Sequence, residues 1–496
     1  MVESMAVLQR IGAGMVVPDP PLVAEGTPLV EDLGVWTEPL AVLRAVSSRR
    51  RPVLLASTLP HPEDARWSIL AWDPIAELTL RGRGGRLIRH RSAGRAGTHH
   101  FEGDPIELLR ALAPANAAAR APGLPFAGGA IGYLGYGLRR ALERLPSGRP
   151  DPLDQPDAWF AFYDRAVIFD HVAQRVVVVI ARVEGRSSKE RAAGVFEARR
   201  CLEDARRIGV MPPPAGRAAA EASPATPRGA YLDAVRAILG RIARGDLYQA
   251  NLSHRISCRL RETPLALFER LAAHNPAPFS AYLDTGELQI ACASPERFVA
   301  LRGERAWSSP IKGTRPRGRD GEEDSQLARA LLASDKDRAE NVMIADLVRN
   351  DLGRVCEPGS VTAEALCGLQ SFATVHHLVS TVSGRLRRDR DRFDLLRALF
   401  PGGSMTGAPK IRAMEAINAL EGEERGVYSG GIGHLSVDGD LDFNIVIRSV
   451  VCGGGMAHLR VGGGVVADSD PGAEYDETID KARALLAALG AVLPRG

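Results

Sequence analysis

Pro310-Ile311-Lys312-Gly313-Thr314 sets a single lysine between a proline, which stiffens the backbone, and a glycine, which frees it. An apolar, strand-like run at Leu288–Ala293 precedes it, and Ser294-Pro295-Glu296-Arg297-Phe298 follows that run, so Glu296 falls at a strand end sixteen positions before Lys312. That spacing predicts two strands of a hairpin or meander, able to bring a carboxyl and an amine to one cleft. Only five of the 63 basic side chains are lysine (Lys189, Lys312, Lys336, Lys410, Lys481), and four of the five lie in the second half. Arginine stays protonated under ordinary conditions, whereas a desolvated lysine can lose its proton and act as nucleophile or base. A solvated loop lysine is the ordinary account of such a residue, and the choice rests on the neighbouring motifs.

Moving outward, Ser334–Leu352 reads as a helix, with Ser334 or Asp335 as cap, Asp337 near the positive dipole end and Gly353 as stop. Glu340 precedes Ile344 by one turn, at the edge of the apolar face. A carboxylate there is costly unless paired, protonated or metal-bound, and a rim glutamate reaching to solvent fits equally well. Asp470 with Pro471 opens a last helix through Ala473–Leu489 that aligns Glu474, Glu477 and Lys481 on one face. The ordinary account is a solvated Glu477–Lys481 pair worth tenths of a kcal/mol. The run Val461-Gly462-Gly463-Gly464-Val465 just before it offers backbone amides as an anion cradle. Two glutamates from this helix plus Glu340 would suit Mg²⁺.

The chain of 496 residues carries 63 basic and 60 acidic side chains, a near balance that argues against a nucleic-acid or anionic-membrane partner. Glu3 and Arg10 interrupt any leader-like apolar run, no stretch has the length of a membrane span, and the six cysteines lack metal-ligand spacing. A cytoplasmic location with buried thiols is expected. Within an N-terminal region, 1–210, residues 29–200 alternate strand and helix patterns, with strands at Arg51–Ser57 and Trp67–Trp72, a hairpin over Ala166–Asp170 and Arg175–Val183, and a helix over Ser187–Arg207. A Pro/Ala/Ser-rich stretch, 211–230, is expected to be a linker without packed elements, and 231–496 a second domain. Gly402–Gly407 has phosphate-loop spacing, but Ala408 and Pro409 replace the required Lys and Ser/Thr. Gly426–Gly433 lacks the dinucleotide fingerprint, and no Gly-x-Cys-x-Gly of a glutaminase is present.

Taken in order, Gly245–Ser253, Asn275-Pro276, Ser294-Pro295-Glu296, Pro310–Thr314, Lys336–Gly353, His377–Ser380, Gly407–Lys410, Tyr428–Gly433, Arg448 and Gly462–Lys481 resemble the motifs of the chorismate-utilising enzymes. The resemblance covers residues 230–490 and, more weakly, 30–200. It implies an α+β fold, a four-layer αββα sandwich of two antiparallel sheets flanked by helices and built from interleaved N- and C-terminal parts. Members that activate water carry lysine where this chain has Gln249, so the resemblance points to those that use ammonia. Anthranilate synthases usually carry alanine at the position of Lys312, whereas lysine is typical of the branch that aminates chorismate at C4 in para-aminobenzoate formation.

The resemblance further implies catalytic roles for Lys312 as nucleophile, Glu296 as general acid and His377 beneath the substrate ring, where a satisfied core histidine is the alternative. It implies substrate contacts from Thr314, Tyr428, Arg448, Gly462, Gly464 and Lys481, and Mg²⁺ on Glu340, Glu474 and Glu477. Chorismate is the implied substrate, with ammonia from a separate glutamine amidotransferase subunit. An anthranilate synthase and a non-catalytic chorismate- or tryptophan-binding subunit are the alternatives. Ser57, Asn275 and Pro276 resemble part of a feedback tryptophan pocket, but Ala56 replaces the usual glutamate, so weak or absent feedback is expected.

Overall fold

The strand Arg175–Ile180 is a run of valines capped by isoleucine, and burial on both faces is what such a run requires. Val177 and Val179 point into one apolar layer, while Val176, Val178 and Ile180 point into another. The strand Ala158–Tyr163 splits the same way: Trp159, Ala161 and Tyr163 share the layer of Val177 and Val179, while Phe160 and Phe162 face a third. Two sheets therefore pack face to face over one layer, and each is covered outside by helices over its own. Outer cover for the first sheet includes the helices Ser188–Ile208, Pro264–His274 and Pro471–Leu489, and for the second Pro105–Leu112 and Arg392–Leu399. This is the αββα sandwich, seen in a computed structural model that describes residues 18–494 apart from 35, 62–64, 91–95, 147, 184–185, 210–219 and 373–374.

Among the described residues each of the two large sheets has twelve strands, drawn from both ends of the chain. In the first, Val53–Ala56 pairs antiparallel with Phe279–Asp284, and Met456–Val465 with Gln249–Arg259. In the second, Gly129–Leu134 pairs antiparallel with Gly431–Ser436. The expected linker falls outside the described residues over 211–219, but its remainder is packed. Ala220–Glu221 pairs in parallel with Ala491–Val492, Ser223–Pro224 joins Gln249–Arg259, and a helix already begins at Arg228. Alanine side chains suffice there because Ala220 and Ala222 are small enough to close under the terminal helix.

Local rules set the helix starts. Ser187 and Glu190 form a reciprocal capping box, Ser334 accepts from the Asp337 amide, and Asp470 accepts from the Ala473 amide ahead of Pro471–Leu489. Gly353 is the last residue of its helix rather than the stop beyond it. The six cysteines are free and buried. Among the described residues no helix is long and apolar enough to cross a membrane.

The helix Lys410–Leu420 ends at Glu421, a buried carboxylate that accepts from Arg425 at 2.6 and 2.9 Å, Arg460 at 3.1 Å, and the amide and hydroxyl of Ser253 at 2.8 Å each. Burial alone would raise its pKa, but the two guanidinium groups outweigh that and hold it below the usual carboxylate range. The network joins that helix to the paired strands Gln249–Arg259 and Met456–Val465. Glu421→Ala strands two buried cations and is expected to cost about 3–5 kcal/mol, measured as a fall in the denaturant midpoint with unchanged slope.

Candidate active site

Pro295 and Glu296 link the strand Gln289–Ser294 of one sheet to Arg297–Arg302 of the other, so the acid sits where the chain crosses the sandwich. Its amide is held by the Ser294 hydroxyl at 3.2 Å, and its carbonyl accepts from the Ile445 amide at 3.0 Å. The carboxyl is buried and accepts a 2.8 Å hydrogen bond from the Ser404 hydroxyl. Burial raises its pKa to about 7 despite the opposing pull of Ser404, Lys312 and the Ile311 amide. It can therefore hold a proton near neutrality, as a general acid must.

Lys312 lies on the strand Ile311–Pro316, whose pairing with Val375–Arg385 slips between Lys312 and Thr314. The slip is a bulge at Gly313, where φ is +79° and a β-carbon would come within 2.9 Å of Asp337 and Leu331. Glycine is required here, and the bulge re-aims the lysine toward the cleft. Its ammonium lies 3.7 Å from Glu340 Oε2, on the helix Asp335–Gly353, with the two side chains only 15% and 17% exposed. A lysine solvated on a loop is thereby ruled out.

Lys312, Glu296 and Glu340 line one cavity of about 610 Å³. Thr314, His377, Tyr428, Arg448, Gly462, Gly464, Glu474, Glu477 and Lys481 line it too, so the structure brings together every expected catalytic, substrate and metal position. His377 Nδ1 lies 2.9 Å from the Thr314 hydroxyl, and burial depresses its pKa to about 4, leaving a neutral imidazole. Burial lifts the Tyr428 phenol to about 12. Arg448 donates to the Lys481 carbonyl at 3.1 Å.

The glycine run expected to offer backbone amides is part of a strand. It ends the strand Met456–Val465 and pairs with Gln249–Arg259. Antiparallel strands turn alternate residues' backbone groups to opposite edges. Lys481 donates to the Gly462 carbonyl at 3.0 Å, so Gly462, and Gly464 two residues on, turn away from the partner strand. These backbone groups lack a strand partner on that side because the neighbour Ser449–Gly453 stops short of this end.

Lys481 also pairs with Glu477 at 2.5 Å. The buried Glu474 accepts from Ser469 at 2.6 Å, and its pKa is raised by burial and by the negative charge of Glu477. Among the described residues no group of three or more His, Cys, Asp or Glu side chains is drawn together as a metal site. The three glutamates nonetheless share one cavity, and the mutual repulsion of Glu474 and Glu477 is what a dication would relieve.

Lining residues not assigned a role from sequence include Ser404, Asn251, Lys336 and Arg460. The scarcity of lysine could have found Lys336. The same signal misleads at Lys410, which is held within the fold by Asp351 at 2.6 Å and the Leu399 carbonyl at 2.9 Å. Gln249 is buried behind the cavity, with its amide nitrogen against Gly464. Ser57 lines two further cavities, of about 600 and 80 Å³, the smaller shared with Trp67, Pro278 and Phe279. Asn275 and Pro276 line neither. Asn275 instead ends the helix Pro264–His274, its amide donating to the Leu271 carbonyl.

Residues 58–487 match the family described as chorismate binding enzyme. A protein called anthranilate synthase component 1 from Streptomyces coelicolor is 43% identical over 403 residues, 78% of each chain. One called aminodeoxychorismate synthase component 1 from Bacillus subtilis is 38% identical over 452 residues, 90% of this chain and 93% of that one. The crystal structure of anthranilate synthase component I from Streptococcus pneumoniae superimposes with a TM-score of 0.74 at 32% identity, over 85% of this chain and 92% of that one. With the sandwich, the cleft and the match in agreement, the chain belongs to the family of chorismate-binding enzymes.

Proposed function

We propose that this protein is the component of an aminodeoxychorismate synthase that converts chorismate and ammonia to 4-amino-4-deoxychorismate, serving para-aminobenzoate formation. The observation that carries this reading is Lys312, a shielded amine placed in one cavity with an acid that holds its proton near pH 7. Two carboxylates on a small ring call for cations and donors once desolvated. Arg448 with Tyr428 supplies these for the enolpyruvyl carboxylate, and Gly462 and Gly464 supply them for the ring carboxylate. The carboxylate donors of Glu340, Glu474 and Glu477 fit a hard dication, and Mg²⁺ held there would neutralise the ring carboxylate.

Lys312 Nζ, once deprotonated, forms a bond to C2. Both ring double bonds shift, C1=C2 to C1=C6 and C5=C6 to C4=C5, the C4–O bond breaks, and the departing hydroxyl takes the Glu296 proton to leave as water. Ammonia then bonds to C4, both double bonds return, and the C2–Nζ bond breaks to release the lysine. The proton lost by the new ammonium restores Glu296, so the net change is chorismate plus ammonia giving the 4-amino product plus water. Neutral His377 beneath the ring orients the leaving group without competing as an acid. With no glutaminase motif in the chain, the ammonia comes from a separate glutamine amidotransferase.

With chorismate, Mg²⁺ and ammonium, product analysis is expected to show the 4-amino compound from the intact protein and none from Lys312→Ala. Unchanged 4-amination by that variant removes the covalent role, and a fluorescent aromatic product without an added lyase assigns the chain to the anthranilate synthases instead. Because Glu296 must be protonated, kcat/KM is expected to fall about tenfold per unit well above pH about 7. Glu296→Gln should lower the rate about 10²–10⁴-fold and remove that limb, as a pH–rate profile would show. Adding Mg²⁺ should raise the thermal midpoint of the wild type but not that of the doubly substituted Glu340→Gln, Glu477→Gln protein. Equal stabilisation of both would move the metal elsewhere.

A further inference from the structure

Ser404 stands far from Glu296 in sequence yet is its side-chain hydrogen-bond partner, the hydroxyl donating to Oε1 at 2.8 Å with both residues buried. The serine is itself fixed. It sits in the single turn Gly403–Thr406, where its carbonyl accepts from Asn251 Nδ2 at 3.3 Å, the next carbonyl, of Met405, accepts from Arg425 at 2.7 Å, and Thr406 donates back to the Gly402 carbonyl at 3.2 Å. Through Arg425 this turn is tied to the same buried carboxylate, Glu421, that braces the cavity strands. The Ile311 amide, beside Lys312, also lowers the Glu296 pKa. The acid is thus held by a hydroxyl on one element and influenced by an amide on the strand that bears the nucleophile. A buried carboxyl needs donors for burial alone, but one placed on a braced turn also has its plane fixed.

We propose that Ser404 is a positioning residue for the acid: its hydroxyl, donated to Oε1, orients the Glu296 carboxyl so that Oε2 carries the proton delivered to the hydroxyl leaving C4. With Oε1 engaged as an acceptor, a second hydrogen on that oxygen would meet the serine's own, so the transferable proton belongs on the other. As the C4–O bond breaks, the bonding pair stays with the leaving oxygen, the proton moves from Oε2, and water departs. The carboxylate left behind keeps the Ser404 hydrogen bond, which strengthens as charge develops on its acceptor. Ser404 therefore favours the product side of the proton transfer by acting through Glu296. This deepens the reading of Glu296 as the general acid and rests on it.

The test compares wild type, Ser404→Ala and Ser404→Thr, each checked for a wild-type thermal midpoint, by two measurements. The first follows the protonated carboxyl band of Glu296 by infrared difference spectroscopy across pH in the ligand-free protein, with Glu296→Gln to assign the band. Removing a donor that favours the ionised form is expected to move loss of the band about one pH unit higher in Ser404→Ala, with Ser404→Thr restored toward wild type. The second follows 4-amination. Here kcat is expected to fall about tenfold in Ser404→Ala, with KM for chorismate changed less than about twofold and the alkaline limb of kcat/KM moved upward in step with the band. Ser404→Thr should recover most of the rate. A Glu296 band that titrates alike in all three proteins overturns the assignment, as does an alanine variant with wild-type kcat, or a folded threonine variant as slow as alanine. Wild-type protein that makes no 4-amino product refutes the functional reading instead, a result the ligand-free titration reports separately.

Discussion

One buried carboxylate underlies the architecture of the cleft. Glu421 satisfies two guanidinium groups and a backbone amide at a point where a helix end meets two paired strands, and those strands carry Asn251 and the glycines that face the cavity. A buried ion pair is a weak source of net stability, because desolvation consumes most of its attraction. Its effect here is geometric: every donor around the carboxylate is directed, so only one arrangement of the three elements satisfies all of them. Arg460 shows the consequence. It lines the cavity, yet its nitrogens are committed to Ser253, Glu424 and Glu421, leaving it a wall rather than a ligand-seeking cation.

Charge within the cavity is arranged so that groups of one type do different work. Four glutamates line it, and burial, like charge or a lysine sets each apart. Glu296 is desolvated and keeps its proton, Glu340 faces Lys312, Glu477 is neutralised by Lys481, and Glu474 is pushed up by its neighbour. The separation comes from the fold. Glu296 is buried at the crossing between sheets, whereas the others lie on two helices that flank the cavity.

What could be read from the chain divides along the same line between local and distant causes. Helix starts at Ser187, Ser334 and Asp470 follow from a cap and the few residues after it, and the valine run at Arg175–Ile180 announces a strand buried on both faces. Lys312 and Glu296 stood out because motif and composition mark them. Ser404 did not, since a serine in a glycine-rich turn has no pattern of its own, and its meaning comes from a carboxyl 108 positions away. The strand form of the glycine run was not legible, because the pairing that makes it a strand is supplied by Asn251–Ser253. The packed end of the expected linker was hidden likewise, its partner being the last strand of the chain.

The interleaving of the two halves carries a temporal consequence. Gly132 lies opposite Gly433, and Leu55 opposite Ala281, so neither sheet can be completed from a contiguous piece of chain. During synthesis the early strands must wait, with open hydrogen-bonding edges, until most of the polypeptide has left the ribosome. Waiting edges of that kind invite wrong partners, and closing such wide loops is slow. The cavity is therefore among the last features to mature, and a nascent chain of this protein is a natural client for whatever shields half-built sheets.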